Sequence, residues 1–153
     1  MNFNNLDDIE AYITRQINNG LKNEVARVVK DTMADEIQTT VYGVYSPIMY
    51  ERRYGNGGLS DERNMRDELV SDGVLAVSNE TPLNDRYGSS YSRKSLSEIV
   101  ISGEGYMYHS QYGNNGYEQP RDFIDATIRS LQSTGAHVEA LKNALRKAGI
   151  DAR

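Results

Sequence analysis

Residues 41–59 read VYGVYSPIMYERRYGNGGL, and the character of the chain changes within them. Before this stretch, apolar residues recur every three or four positions; after it come glycines and short runs that favour strands. Pro47 has no backbone N–H and disfavours helical conformation at Ser46, so we expect a long helix to end here. Gly57 and Gly58 then predict a turn. The stretch therefore predicts a joint between a long helix and a sheet.

Two helical segments are predicted before the joint. Asn5 is a suitable N-cap for the first, because its side chain can accept a hydrogen bond from the opening turn. The second is predicted over residues 21–45. Asn18-Asn19-Gly20 predicts a stop between the two helices. The apolar period continues across Gly20, however, so a single kinked helix is the alternative. The apolar stripe consists of Leu6, Ile9, Ile13, Ile17, Leu21, Val25, Val28, Val29, Met33, Ile37, Val41 and Val44.

The rest of the chain predicts a hairpin and then helices. Residues 64–79 contain two strand-like runs around Asp72-Gly73, which is a hairpin turn signal. A short amphipathic segment at 96–102 follows. Pro120 suits the first position of a C-terminal helical region that is interrupted at 133–135 and closed by Gly149. The predicted fold class is α+β, with long N-terminal helices and C-terminal helices packed on a small antiparallel β-sheet. We predict one domain over residues 1–153, with residues 1–20 as a helix that can form a separate arm.

Composition limits the functional classes. The chain has 153 residues and a net charge of -5, which disfavours general nucleic-acid affinity. It has no cysteine, which excludes a thiol nucleophile and cysteine-ligated zinc. No stretch predicts a membrane span or a signal peptide. The charge is uneven, with 11 Lys/Arg and 18 Asp/Glu in residues 1–120 against 6 and 4 in residues 121–153.

Motifs for catalysis are missing from the sequence. His109 and His137 match no metal-ligand spacing, and no nucleophile is paired with either histidine. Gly55-Asn56-Gly57-Gly58 is followed by Leu59-Ser60-Asp61, unlike a phosphate-binding loop. We therefore predict no catalytic, cofactor-binding or metal-binding residues, no cofactor and no enzymatic activity.

Arg52 and Arg53 lie between Tyr50 and Tyr54, and this cluster has three interpretations. Arginine pairs with phosphate and tyrosine stacks on bases, so a small nucleic-acid-binding module is one alternative. The arginine stems can instead cover tyrosine rings where the helix meets the sheet. An arginine and tyrosine surface is also favoured at protein interfaces.

The order of these motifs resembles the small head–tail joining proteins of long-tailed bacteriophages, also described as tail-completion or neck proteins. In that family a long helix ends in Tyr-x-x-Tyr-x-Pro-x-x-Tyr-x-Arg, which Tyr42, Tyr45, Pro47, Tyr50 and Arg52 match here. The segment SLSEIVISGEGYMY at 95–108 is similar to a short family segment that ends in glycine. EQPRDFIDATIRSL at 118–131 is similar to the family's entry into its C-terminal helix. The resemblance covers residues 20–150.

The resemblance implies a structural virion protein at the head–tail interface. It implies self-assembly, commonly as a ring, and contact with other neck, portal-adaptor or tail subunits. Such a ring can line a DNA channel without sequence-specific binding, and no membrane is involved. The protein would be made in the host bacterial cytoplasm and reside in the virion. The interface and junction residues that we single out are Tyr42, Tyr45, Pro47, Tyr50, Arg52, Arg53, Tyr54, Pro120, Arg121 and Phe123.

Overall fold

The computed structural model describes residues 5–44, 46–47, 51–83, 95–104 and 119–152. Its elements follow one another from an N-terminal helical run through a hairpin to three further helices. The helices are α1 (Leu6–Gly20), α2 (Ala26–Glu36), α3 (Leu96–Ser102), α4 (Phe123–Thr134) and α5 (Ala136–Lys147), and the strands are β1 (Met65–Ser71) and β2 (Val74–Asn79). This arrangement confirms the predicted α+β fold class.

The helical run from residue 6 to residue 42 is continuous, and we call it the long helix. Two π-helical segments, Leu21–Val25 and Ile37–Tyr42, flank α2 within it. Gly20 keeps right-handed helical geometry, with φ -63 and ψ -40. The predicted stop at residues 18–20 is therefore wrong, and the single-helix alternative holds. At about 1.5 Å per residue the long helix extends roughly 55 Å.

The ends of two helices differ from their predicted positions. The long helix ends at Tyr42, before Pro47, and the Gly43 N–H donates to the Gln38 carbonyl at 2.8 Å. Glycine is a poor helix former, so the helix ends without the proline. α4 begins at Phe123, not at Pro120, because Asp122 is its N-cap and accepts a hydrogen bond from the Asp125 N–H at 2.9 Å.

The two strands form an antiparallel hairpin that packs against the long helix. Its register pairs Met65 with Asn79 and Leu69 with Leu75, and an irregularity falls between Leu69 and Ser71. Lys30 of α2 forms an ion pair with Asp67 of β1. These features confirm the predicted hairpin around Asp72-Gly73.

The hydrophobic core lies around the C-terminal half of the long helix. It joins residues from the long helix, the loop before the hairpin, the base of β1, α3 and α4: Met33, Ile37, Val41, Leu59, Met65, Val100 and Phe123. α5 packs instead against α1 and the first π-helical segment. The assignment of residues 1–153 to one domain, with an N-terminal arm, stays a prediction.

Candidate interaction site at the joint between helix and sheet

The candidate site begins where the long helix ends at Tyr42. The Arg52 guanidinium carbon lies 5.2 Å from the centroid of the Tyr42 ring, and Arg52 Nη1 donates to the Tyr42 carbonyl at 2.6 Å. That carbonyl is in the last turn, where helix carbonyls lack intrahelical partners. The Tyr54 ring meets the Tyr42 ring edge to face, with centroids 4.9 Å apart. The structure therefore brings Tyr42, Arg52 and Tyr54 into one cluster.

Arg53 is also bound to the chain's own backbone. Its Nη2 donates to the Pro82 carbonyl at 2.9 Å, which connects the joint to the segment after β2. Both arginines thus donate to carbonyl oxygens. Of the three interpretations of this cluster, the covering of a tyrosine ring is the arrangement that Arg52 adopts.

Asp61 closes the loop that follows. Its carboxylate is 5% exposed and accepts the Gly57 N–H at 2.6 Å. Arg63 donates to it through Nε at 2.9 Å and Nη2 at 2.6 Å, and through its backbone N–H at 3.0 Å. The hydrogen bond from the Arg63 side chain, followed by that from the Gly57 N–H, lowers the pKa of Asp61 well below its ordinary value. Asp61 therefore stays ionised and holds the loop closed at neutral pH.

The loop contains one residue in an unusual backbone conformation. Tyr54 has φ 47, the left-handed region that a bulky side chain rarely occupies. The Gly58 N–H donates to the Tyr54 carbonyl at 3.0 Å. A Cβ atom at Gly58 would lie 2.3 Å from that carbonyl oxygen, so this position requires glycine. The tight turn leaves the Tyr54 side chain about half exposed.

A buried polar network joins this loop to the hairpin and to α3. Asn79 Nδ2 donates to the Leu59 carbonyl at 2.8 Å, and Thr81 Oγ1 donates to Asn79 Oδ1 at 2.6 Å. Ser97 Oγ donates to the Asn79 carbonyl at 2.7 Å. Buried polar groups need such partners, so the network fixes the loop against two other elements. No local sequence pattern indicated this network, because Asn79 and Ser97 bind backbone carbonyls that lie eighteen to twenty positions away. Thr81 joins it through Asn79, two positions before it.

Of the remaining predicted residues, some lie outside the part of the chain that the structure describes and others lie within it. Tyr45 and Tyr50 lie outside the described residues, as does His109, whereas Pro47 is partly buried. Pro120 is exposed and Arg121 is buried, with the Arg121 N–H donating to the Val100 carbonyl at 3.0 Å.

Phe123 is completely buried in the core that also holds Val41 and Leu59, two neighbours of the joint. Phe123 therefore helps to stabilise the core that adjoins the joint. The segment at the start of α4 is therefore tied to α3 by the Arg121 N–H and anchored in the same core by Phe123.

Within residues 5–44, 46–47, 51–83, 95–104 and 119–152, no three His, Asp or Glu side chains are grouped closely enough to hold a metal ion. In the same ranges no helix is both long and apolar enough to cross a membrane. Val44 and Tyr54 present exposed apolar surface at the joint.

Comparison with known proteins identifies the family. A sequence profile of the YomN family matches residues 5–147. The SPbeta prophage-derived uncharacterized protein YomN of Bacillus subtilis (strain 168) is 31% identical over 128 residues, which cover 84% of this chain and 81% of that protein. No solved structure shows significant similarity. The prophage origin of that relative indicates a phage-derived family. The profile match covers nearly the whole described chain, and the chain therefore belongs to the YomN family.

Proposed function

We propose that this protein is a structural virion assembly protein at the head–tail interface, acting in tail completion, in the neck or as a minor tail or capsid component. It works by oligomerisation and protein–protein contact, without catalysis or a cofactor. The observation that carries the proposal is the likeness, over 84% of the chain, to a protein whose name gives a prophage origin. The motif order that resembles head–tail joining proteins supplies the finer assignment.

The geometry of the joint supports a role in contact. A loop held by a buried carboxylate and a buried polar network is a rigid platform, and rigid platforms lose little conformational entropy on binding. Tyr54 and Val44 are the apolar groups that this platform exposes. Tyrosine is enriched where protein interfaces carry most of their binding energy. The expected partners are further copies of this chain and other neck, portal-adaptor or tail subunits in the virion.

The test is deletion of the gene from a phage that carries it, followed by electron microscopy of the lysate. DNA-filled heads beside separate tails of normal length are the expected result and assign a joining role. Tails of irregular length would assign termination instead. A plasmid copy of the wild-type gene should restore joined particles, and a Tyr54→Ser copy should restore fewer. Normal, infectious virions from the deletion strain would overturn the proposal.

The same material tests the nucleic-acid alternative. Salt-sensitive DNA binding that disappears in Arg52→Ala/Arg53→Ala would favour that alternative. Both guanidinium groups already donate to backbone carbonyls, at Tyr42 and Pro82, so we expect weak DNA binding that this double substitution does not change.

A further inference from the structure

α1 and α5 form a helix pair in which most residues are at best partly buried. In α1 the one buried residue is Gly20, and α5 has no buried residue at all. Both helices are nevertheless amphipathic, with apolar residues on one side. An amphipathic helix normally covers its apolar stripe against a partner. The pair therefore has apolar surface left for an additional contact.

Along one face of α1, the cover decreases toward the N-terminus of the helix. Leu6, Ile13 and Gly20 are seven residues apart and lie on one face of the helix. Gly20 is buried, Ile13 is 38% exposed and Leu6 is 81% exposed.

The cause is the antiparallel course of α5. A Cβ at Gly20 would be 2.9 Å from Leu141 Cδ1, and the Tyr12 hydroxyl donates to the Ala148 carbonyl at 3.0 Å. α5 therefore ends beside Tyr12, before it reaches Leu6.

Acidic groups lie beside this uncovered face. An open groove of about 570 Å³ runs between α1 and the tip of the hairpin, and Asp7, Glu10 and Asp72 contribute to its lining. Arg15 also lines the groove, with its guanidinium carbon 5.6 Å from the Tyr12 ring centroid. The start of α1 thus combines exposed apolar side chains with an acidic flank.

α5 has a surface of the opposite charge. Val138 is 45% exposed, and Lys142 and Arg146 follow it at intervals of four residues, on the same side of the helix. Both cations reach Glu139, at 3.1 Å and 4.0 Å. Arg146 also donates to Asn143 Oδ1 at 3.0 Å. Glu139 and Arg146 are exposed and Lys142 is partly exposed, so these pairs contribute little stability, and both cations can exchange Glu139 for another partner.

We propose that a second copy of this chain covers the start of α1. Leu6 and Ile13 of one copy pack against Val138 of the next, while Lys142 and Arg146 enter the groove beside Asp7 and Glu10. The two surfaces are different, so the contact is heterologous and repeats from copy to copy as a ring or a filament. This inference rests on the proposed function, because it specifies how the chain oligomerises.

Analytical ultracentrifugation of the full chain across a range of concentrations and salt tests the contact. We expect reversible association that weakens as salt rises. Asp7→Lys/Glu10→Lys and Lys142→Glu/Arg146→Glu should each weaken association about tenfold or more, which is the effect of about 1.4 kcal/mol. An equimolar mixture of the two variants should associate like the wild type, because each then meets a complementary surface. A monomeric wild type at all concentrations, or no recovery in the mixture, would overturn the inference.

Two further variants separate the contact from folding. Leu6→Ser changes a side chain with little burial, so it should weaken association without lowering the melting temperature. Val70→Ser on the hairpin, where Val70 is 59% exposed, is the matched control and should leave association unchanged. Should the Glu139 neighbourhood misfold with two extra glutamates, Lys142→Gln/Arg146→Gln is the milder substitution, and circular dichroism checks its folding.

The failure of this contact and the failure of the proposed function can be told apart. Failed association together with unjoined heads and tails in the deletion phage would reject this contact and keep the proposed function. Association through α1 and α5 together with normal virions from the deletion phage would reject the proposed function and keep the contact.

Discussion

The two halves of the long helix are packed very differently. Around its C-terminal half, four other parts of the chain enclose Met33, Ile37 and Val41, and a buried polar network fixes the adjoining loop. Around its N-terminal half, α5 is the main partner, and Gly20 is the one buried residue of α1. The same apolar period therefore produces a closed core at one end and a half-covered helix pair at the other. Periodicity specifies which face is apolar, but the surrounding elements decide how far that face is buried.

The largest expected effect comes from replacing an isoleucine with alanine in each half of the long helix. Ile37→Ala removes a side chain with 0% exposure, and it should lower the free energy of unfolding by about 2–5 kcal/mol. Ile13→Ala, at 38% exposure, should cost about 1 kcal/mol or less in a dilute sample. Urea denaturation of both variants measures the difference. Equal losses would show that the two halves contribute alike to the fold.

This comparison also shows what the sequence could predict. Local signals were sufficient for the Asn5 cap, the hairpin turn at Asp72-Gly73 and the helix ends at Gly135 and Gly149, which have φ values of 64 and 80. Each of these depends on residues that are close in the chain. The sequence also indicated the cluster of tyrosines and arginines at the joint.

Long-range features were not predictable in the same way. The partners of Asn79 and Ser97 lie eighteen to twenty positions away, and no local pattern encodes such pairs. The end of the long helix at Tyr42 depends on Gly43 and on the Arg52 side chain that binds the last turn. Gly20 predicted a stop because glycine is common at helix ends, but here it allows α5 to approach.

Alanine substitutions at two glycines, Gly58 and Gly55, test the rigidity of the joint. Gly58→Ala places a Cβ 2.3 Å from the Tyr54 carbonyl oxygen and 2.7 Å from its backbone nitrogen, and neither backbone atom moves easily. We expect a loss of about 1–3 kcal/mol, the usual range for a forced contact in a packed region. Gly55→Ala meets nothing within 4 Å and should stay within about 0.5 kcal/mol of the wild type. Thermal melts compare the stability of the two variants. An equal loss of stability in both would show that the turn at Gly58 is not tight.

The Asp61 carboxylate predicts that the stability of the fold depends on pH. This effect arises in the loop next to the C-terminal half of the long helix. Its pKa is lowered in the folded chain, so its contribution to stability is complete above the ordinary aspartate pKa of about 3.9. That contribution is lost as the pH falls below this value, because the unfolded chain then binds the proton more readily.

Asp61→Asn should therefore reduce the loss of stability between neutral pH and about pH 3. Arg63→Ala is the control that keeps the carboxylate and removes its main partner, and it should reduce the same loss in part. Urea midpoints at several pH values provide the measurement. A pH dependence identical in the wild type and in Asp61→Asn would show that another group is responsible.

The smallest expected effect lies in the helix pair, at Gly20. Alanine in place of glycine favours a helix by about 0.8–1.0 kcal/mol. The new Cβ would lie 2.9 Å from Leu141 Cδ1, which can rotate away, and 3.0 Å from Ala144 Cβ, which cannot. We expect the two effects nearly to cancel in the single variant. A double-mutant cycle with Ala144→Gly isolates the contact, because Gly20→Ala should become clearly stabilising once that methyl group is gone. An unchanged effect of Gly20→Ala in the Ala144→Gly background would mean that α1 and α5 are not in close contact there. The half-covered pair would then be looser than the geometry at Gly20 implies, and the contrast between the two halves of the long helix would be sharper.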